Sequence, residues 1–437
     1  MTNRKGWIVT LAGMGLNLAL GILYAWSVFK KAMVSPVADG GYGWSNQAAT
    51  LPYTVAIAMF ALMMIPAGRL QDKLGPRKVA MTGGLLTAVG LIIASFSSAE
   101  SHLPAIIGFG LFAGTGFGLG YAASTPAAIK WFPPEKKGLI TGLVVAGFGI
   151  APVYISPLTK VLLGHYGVAM TFRILGFAFA VTATIFSAMI QNPEKALNVA
   201  KPGASKTSFG GDKTWREMLK TPFFYMIWLQ YAFAATAGLM IIGNMASIVT
   251  QQSGGTLKAQ AAMFVALLAI FNAGGRVIAG VLSDYIGRIV TLALVSISQA
   301  SILLFFPRFT TFGEFVVGAA VVGFSYGSCL SIFPSINADT WGTKNMGLNY
   351  GVLFTAWGVG GVFGPMLAAR IVDATGSYTA AYNVASMLLL VSFFLAMLNY
   401  VQVEFDVAQR EVKIRLGSKK PAAEKGVIAK VGAEEAA

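Results

Sequence analysis

The chain is short of charge. Of its 437 residues only 11% are Asp, Glu, Lys or Arg, against about a quarter in an average globular chain. Length alone would suggest about three soluble domains, but so few charges cannot cover several cores with water-compatible surface. Cysteine is nearly absent as well. Cys329 is alone, which excludes an internal disulfide and a secreted disulfide scaffold and says nothing of redox compartment. Acidic residues number 17 against 32 basic ones, and all 17 fall in loops, tails or helix ends. No P-loop, metal-ligand cluster or catalytic constellation is present, so no cofactor, metal, ATP hydrolysis or enzyme chemistry is expected. With 56% hydrophobic residues and a mean hydropathy of +0.68, the chain is not disordered either. A bilayer is the solvent that fits.

A helix crossing the hydrocarbon core needs about 20 mostly apolar residues. Such runs fall near 7–29, 47–68, 78–98, 104–130, 138–163 and 171–191, then near 222–250, 258–282, 288–308, 313–338, 347–372 and 378–402. They define an all-α membrane protein of twelve transmembrane helices in two six-helix bundles, 1–192 and 221–402. A basic linker, 193–220, joins them, and a tail, 403–437, follows that is expected to be frayed or disordered. No signal peptide is evident, because the first apolar run is already a full span.

The formal net charge is +15, which would ordinarily suggest an acidic partner or nucleic acid. Position argues otherwise. Of the 32 Lys and Arg, 24 lie in the termini, the linker and the loops of one side, and seven lie on the other. That asymmetry is the positive-inside signature, so both termini and the linker are expected to be cytoplasmic, with no nucleic-acid binding. His102 and His165 fall in or near loops of the outer side and read as surface residues.

The two halves repeat. Gly68-Arg-Leu-Gln-Asp72-Lys-Leu-Gly75-Pro-Arg77 follows the second span, and Gly280-Val-Leu-Ser-Asp284-Tyr-Ile-Gly287-Arg288 follows the eighth, an offset of 212. Gly138, Leu139 and Gly142 match Gly347, Leu348 and Gly351 at an offset of 209. Two landmarks with nearly one shift indicate a duplicated six-helix unit. The loop from Gly68 to Lys78 resembles the motif between spans two and three of the major facilitator superfamily. That resemblance implies two bundles rocking about a midplane site. It also implies a cytoplasmic gate at Gly68, Asp72, Gly75 and Arg77, echoed by Asp284 and Arg288. Asp72 is expected to pair there with nearby Arg and Lys, while the glycines allow close approach and a tight turn.

One charge is embedded. Arg276 lies eight residues before Asp284, about 12 Å from the helix end, where an Arg costs about 2.5–3.5 kcal/mol on insertion scales. It must face protein or water. One reading makes it an anchor for a substrate anion, because no mid-span carboxylate is available and its planar fork matches a carboxylate. The other has it capping backbone carbonyls or snorkelling toward Asp284. Asn272 is one turn away on the same face. Tyr121, in the glycine-rich fourth span, lies at nearly the same depth and reads equally as a ligand or a core aromatic. Tyr326 and Cys329 share a face of the tenth span. Asn17, Gln230, Asn244, Asn349 and Tyr350 are weaker polar candidates.

Three stretches resemble one branch of the superfamily, the oxalate/formate antiporters and monocarboxylate transporters of bacteria and mammals. They are Tyr24-Ala-Trp-Ser-Val-Phe29, Gln71-Asp-Lys-Leu-Gly-Pro-Arg77 and Phe271-Asn-Ala-Gly-Gly-Arg276. The resemblance implies that Arg276 binds a substrate carboxylate. It further implies a bacterial cell membrane, a monomer, and a small monocarboxylate and a proton as the transported partners. The oxalate carrier has a Lys in its eleventh span where Trp357 stands in Thr355-Ala356-Trp357, and one cation suits one carboxylate such as L-lactate or pyruvate. Mammalian lactate carriers have an Asp where Asn272 stands. An amide does not titrate and Arg keeps its proton, so the resemblance favours proton symport while the residues leave exchange open.

Overall fold

Residues 4–193 and 212–417 are described by the structure, a computed structural model. Within hydrocarbon a backbone must satisfy its own N–H and C=O groups, and each long apolar run has done so as a helix. These are α1 (Arg4–Val34), α2 (Asn46–Leu74), α3 (Pro76–Ala94), α4 (Leu103–Ile129), α5 (137–166) and α6 (168–189). After the linker come α7 (Pro222–Gln252), α8 (Ala261–Ile286), α9 (Arg288–Phe305), α10 (Phe312–Trp341), α11 (Met346–Thr375) and α12 (Thr379–Gly417). No strand occurs among the described residues.

The helix from Lys137 to Met189 runs 53 residues without a gap, about 80 Å at 1.5 Å per residue and far more than one crossing of a core about 30 Å thick. Gly167 divides it. Its φ of 70° and ψ of −179° lie in a region open essentially to glycine alone. Among the described residues, eleven apolar helices long enough to cross therefore make twelve spans. Two are irregular: α1 tightens into a 3₁₀ turn at Gly21–Ala25, and α4 loosens into a π-helix at Ile106–Ala113. Such departures from α geometry mark strained or functional segments.

The repeat is visible in the backbone. Gly75 (φ 85°, ψ 158°) turns α2 into α3, and Gly287 (φ 95°, ψ 151°) turns α8 into α9 in the same conformation. Both turns lie on one end of the bundle, called here the basic face for its lysines and arginines. Apolar side chains such as Phe177, Phe363, Met387 and Phe394 are exposed around the girth, as a lipid-facing surface requires.

Part of the linker, 194–211, and the end of the tail, 418–437, lie outside the described residues. The rest of the linker is ordered by capping and docking. Thr214 and Glu217 form a reciprocal capping box on the short helix Trp215–Leu219. The Lys213 amide donates to the Trp341 carbonyl, and the Asn345 and Asn349 amides donate to the Lys213 carbonyl. The tail departs from the expectation of fraying at Val403, because α12 continues to Gly417. The residues after Val403 are mostly good helix formers with no Gly or Pro before Gly417.

Candidate functional site

Arg276 projects from α8 into the seam between the halves. It is 1% exposed. Its Nε donates to Asn272 Oδ1, one turn back on α8, at 2.9 Å. Its Nη1 donates to the Val145 carbonyl of α5, in the other half. Nη2 has no partner, and no carboxylate among the described residues pairs with this guanidinium. Room for it comes from α5, where a Cβ on Gly149 would lie 2.8 Å from Arg276 Nε.

A small, partly open cavity borders Arg276, with room for about one water. Its remaining walls are Tyr24 from the 3₁₀ turn of α1, Phe60, Tyr121, Phe148, Leu330, Phe354 and Trp357. Arg276 is therefore the one charged group on the wall among the described residues. Phe354 is the hub of the aromatic side. Its ring centroid lies 5.4 Å from Phe60 and 5.5 Å from Tyr121 in the first half, and 6.2 Å from Tyr231 and 5.7 Å from Tyr350 in the second. The Tyr231 and Tyr350 hydroxyls stand 3.4 Å apart beneath it.

Toward the basic face the halves close on each other twice, by the same device. Asp284 accepts the Gly138 and Leu139 amides at the start of α5, at 2.9 and 3.0 Å. Asp72 accepts the Gly347 and Leu348 amides at the start of α11, at 3.4 and 3.1 Å. Each carboxylate thus caps a helix N-terminus of the opposite half, where orphan donors and the helix dipole favour an anion. Glycine lets the backbones meet: a Cβ on Gly138 would fall 2.1 Å from the Gly280 carbonyl, and one on Gly68 would fall 2.0 Å from that of Gly347. Asp339 adds ion pairs to Lys137 and Arg288 at 3.0 Å, and Arg288 also meets Asp284 at 2.6 Å. In the other copy Lys130, just past the end of α4, has its ammonium pushed down by burial, against the opposing pull of Asp72 and Asp212.

Residues 6–365 match the family description "Major Facilitator Superfamily". The chain belongs to that family. Its members are membrane transporters rather than enzymes. The oxalate:formate antiporter of Oxalobacter formigenes is 28% identical over 91% of this chain and 91% of that protein. Monocarboxylate transporter 13 of Rattus norvegicus is 28% identical over 88% of this chain and 86% of its own length. Among solved structures, the Escherichia coli fucose:proton symporter FucP superposes with a TM-score of 0.68 at 15% identity, covering 90% of this chain and 98% of that one. The human organic anion transporter MFSD10 does so with 0.68 at 16%, covering 91% and 100%. At such identities these two likenesses carry the fold alone.

Within this major facilitator fold the sequence candidates sort by what they touch. Arg276, Tyr121 and Trp357 line the cavity. Asn272 holds Arg276. Tyr326 does not border the cavity and instead accepts the Trp357 indole N–H at 2.8 Å. Cys329 is buried one turn further along α10 and does not border it either. On the basic face Asp72 accepts backbone amides rather than forming an ion pair with a nearby Arg or Lys among the described residues. The break at Gly75 starts α3 at Pro76, and Arg77 donates instead to Gln191 past the end of α6, at 3.4 Å. Sequence reasoning missed Phe60, Phe148, Leu330 and Phe354, whose apolar side chains are indistinguishable in sequence from core. Asp339 and Lys137 were missed as partners, although an acid closing the tenth run among so many basic loops was a readable signal.

Proposed function

We propose that this transporter moves a small monocarboxylate, L-lactate above all and pyruvate-like acids with it, together with a proton, by alternating access. The observation that carries the reading is the unpartnered Nη2 of Arg276 at the wall of a small aromatic cavity. A carboxylate placed there neutralises the Arg276 guanidinium through charge-assisted hydrogen bonds. The carboxylates named for the antiporter and the monocarboxylate transporter add support, as does Trp357, which leaves the site with one cation. In this proposal the basic face is the cytoplasmic side of a bacterial inner membrane, and the protein works as a monomer with lipid as its only other partner.

A second reading, carboxylate exchange of the oxalate/formate type, rests on Asn272. Its amide cannot carry a proton, and an empty site leaves Arg276 buried without an anion. An unpaired charge disfavours the empty return step. Under symport the proton must then travel on the substrate or on water at the site. Radiolabelled L-lactate uptake by proteoliposomes separates the readings. Symport gives uptake into empty vesicles that rises several-fold when the outside is made more acidic than the lumen and collapses with a protonophore. Exchange gives uptake only into vesicles preloaded with carboxylate. Absence of lactate flux under both conditions rejects the monocarboxylate assignment.

A further inference from the structure

Trp357 and Tyr326 form a rigid unit at the cavity edge that the carboxylate chemistry does not use. The indole N–H donates to the Tyr326 hydroxyl at 2.8 Å. The indole stacks on Phe354 (centroids 4.9 Å apart, 23° between planes) and leans on Phe60 at 5.3 Å. Tyr326 cannot swing away, because α7 approaches its ring so closely that a Cβ on Gly238 would lie 2.3 Å from Cδ2. Behind this unit the helices are packed: Tyr326 is 1% and Trp357 2% exposed.

From this geometry we infer that Trp357 is the residue that limits the chain length of the transported acid, and that Tyr326 is a positioning residue acting through it. The inference rests on the carboxylate reading of the same cavity. Once a carboxylate is fixed at Arg276, the tail of the acid has only the aromatic walls and Leu330 to meet. The space left beside Arg276 has room for about one water, so an acid's tail lies directly against the Trp357 indole and its neighbours. Longer tails must displace the indole, which the Tyr326 bond and the Phe354 stack oppose. One methylene too many in an apolar pocket is discriminated by about 10- to 200-fold, while each methylene given room gains about fourfold.

The test is the rise in melting temperature that acetate, propionate, L-lactate, butyrate and hexanoate produce in purified protein. It compares wild type with Trp357→Ala, Trp357→Leu and Tyr326→Phe, because a ligand that binds only the folded form raises that temperature with its affinity. Wild type is expected to respond to the short acids and not to hexanoate. Both Trp357 variants should acquire a hexanoate response, shifting the hexanoate-to-lactate preference by about tenfold or more. Tyr326→Phe keeps the indole and loses only its anchor, so it should shift the same ratio in the same direction by a smaller factor. A purely structural role would lower the ligand-free melting temperature and leave the rank order of acids as in wild type. That unchanged order, in whichever of the three variants fold, overturns the inference and leaves the carboxylate reading standing. No response of wild type to any acid removes both.

Discussion

Replacing Arg276 with Met abolishes L-lactate transport, by a factor of about 100 or more, without a matching loss of stability. The functional side follows from the bonds lost. Hydrogen bonds to a charged group are worth about 1.5–3 kcal/mol each, and two of them at the carboxylate amount to about 3–6 kcal/mol, or about a hundredfold to more than ten-thousandfold. The stability side rests on the missing counterion. Arg276 is 1% exposed, and its partners are an amide oxygen and a carbonyl. A buried cation without a carboxylate destabilises the fold, and replacing even a buried ion pair with apolar side chains is often neutral or stabilising by about 1–4 kcal/mol. Against that gain, Asn272 Oδ1 and the Val145 carbonyl lose their donor, at about 1–3 kcal/mol each. The two sides nearly cancel, so the melting temperature should stay within a few degrees of wild type while uptake disappears. A structural arginine, holding α5 against α8, would give the reverse: a large fall in melting temperature with flux retained in the surviving fold.

Gly138→Val is expected to hold the basic face open. A Cβ at Gly138 would stand 2.1 Å from the Gly280 carbonyl and 2.8 Å from Asp284 Oδ1. The first neighbour is backbone and cannot swing aside, so α5 and α8 must separate. Inverting a 99:1 population takes about 5.5 kcal/mol, and an overlap with backbone is relieved only by moving the two helices apart. Separation also withdraws Asp284 from the Gly138 and Leu139 amides, removing one of the two helix caps that close this face. Transport, which needs both states, should fall at least tenfold. Spin labels at Lys136 and Tyr285, both exposed and on opposite halves, should report a longer distance than in the wild-type background. An unchanged distance distribution would mean that the glycine contact does not hold the closed state.

Span number and the duplication were legible because hydrocarbon leaves a chain few options: apolar runs of sufficient length become helices, and a motif recurring at one offset marks a repeat. The inward, buried position of Arg276 was legible for a related reason, since a charge at that depth must turn toward protein or water. The partners of Asp72 were not. A helix N-terminus in the opposite half has no sequence signature beyond the Gly-Leu pair at Gly347 and Leu348, whereas the Arg and Lys around Asp72 looked like its ion-pair partners. Nor was the division of labour between Tyr326 and Trp357 visible. Spacing puts Tyr326 and Cys329 on one face of α10, but which neighbour that face meets is decided by α7 and α11. The cavity floor escaped for the same reason, because Phe354 differs from a core phenylalanine only in what it touches.

The central claim is that the cavity recognises a carboxylate through Arg276, and binding of L-lactate and lactamide to the wild-type protein tests it most directly. The two differ by an anionic oxygen replaced with a neutral amide nitrogen, so size and the 2-hydroxyl are held constant. In calorimetric titrations L-lactate should bind and lactamide should bind at least about a hundredfold more weakly, the equivalent of about 2.7 kcal/mol. Equal binding of the two would show that the guanidinium does not read the charge, and would contradict the account.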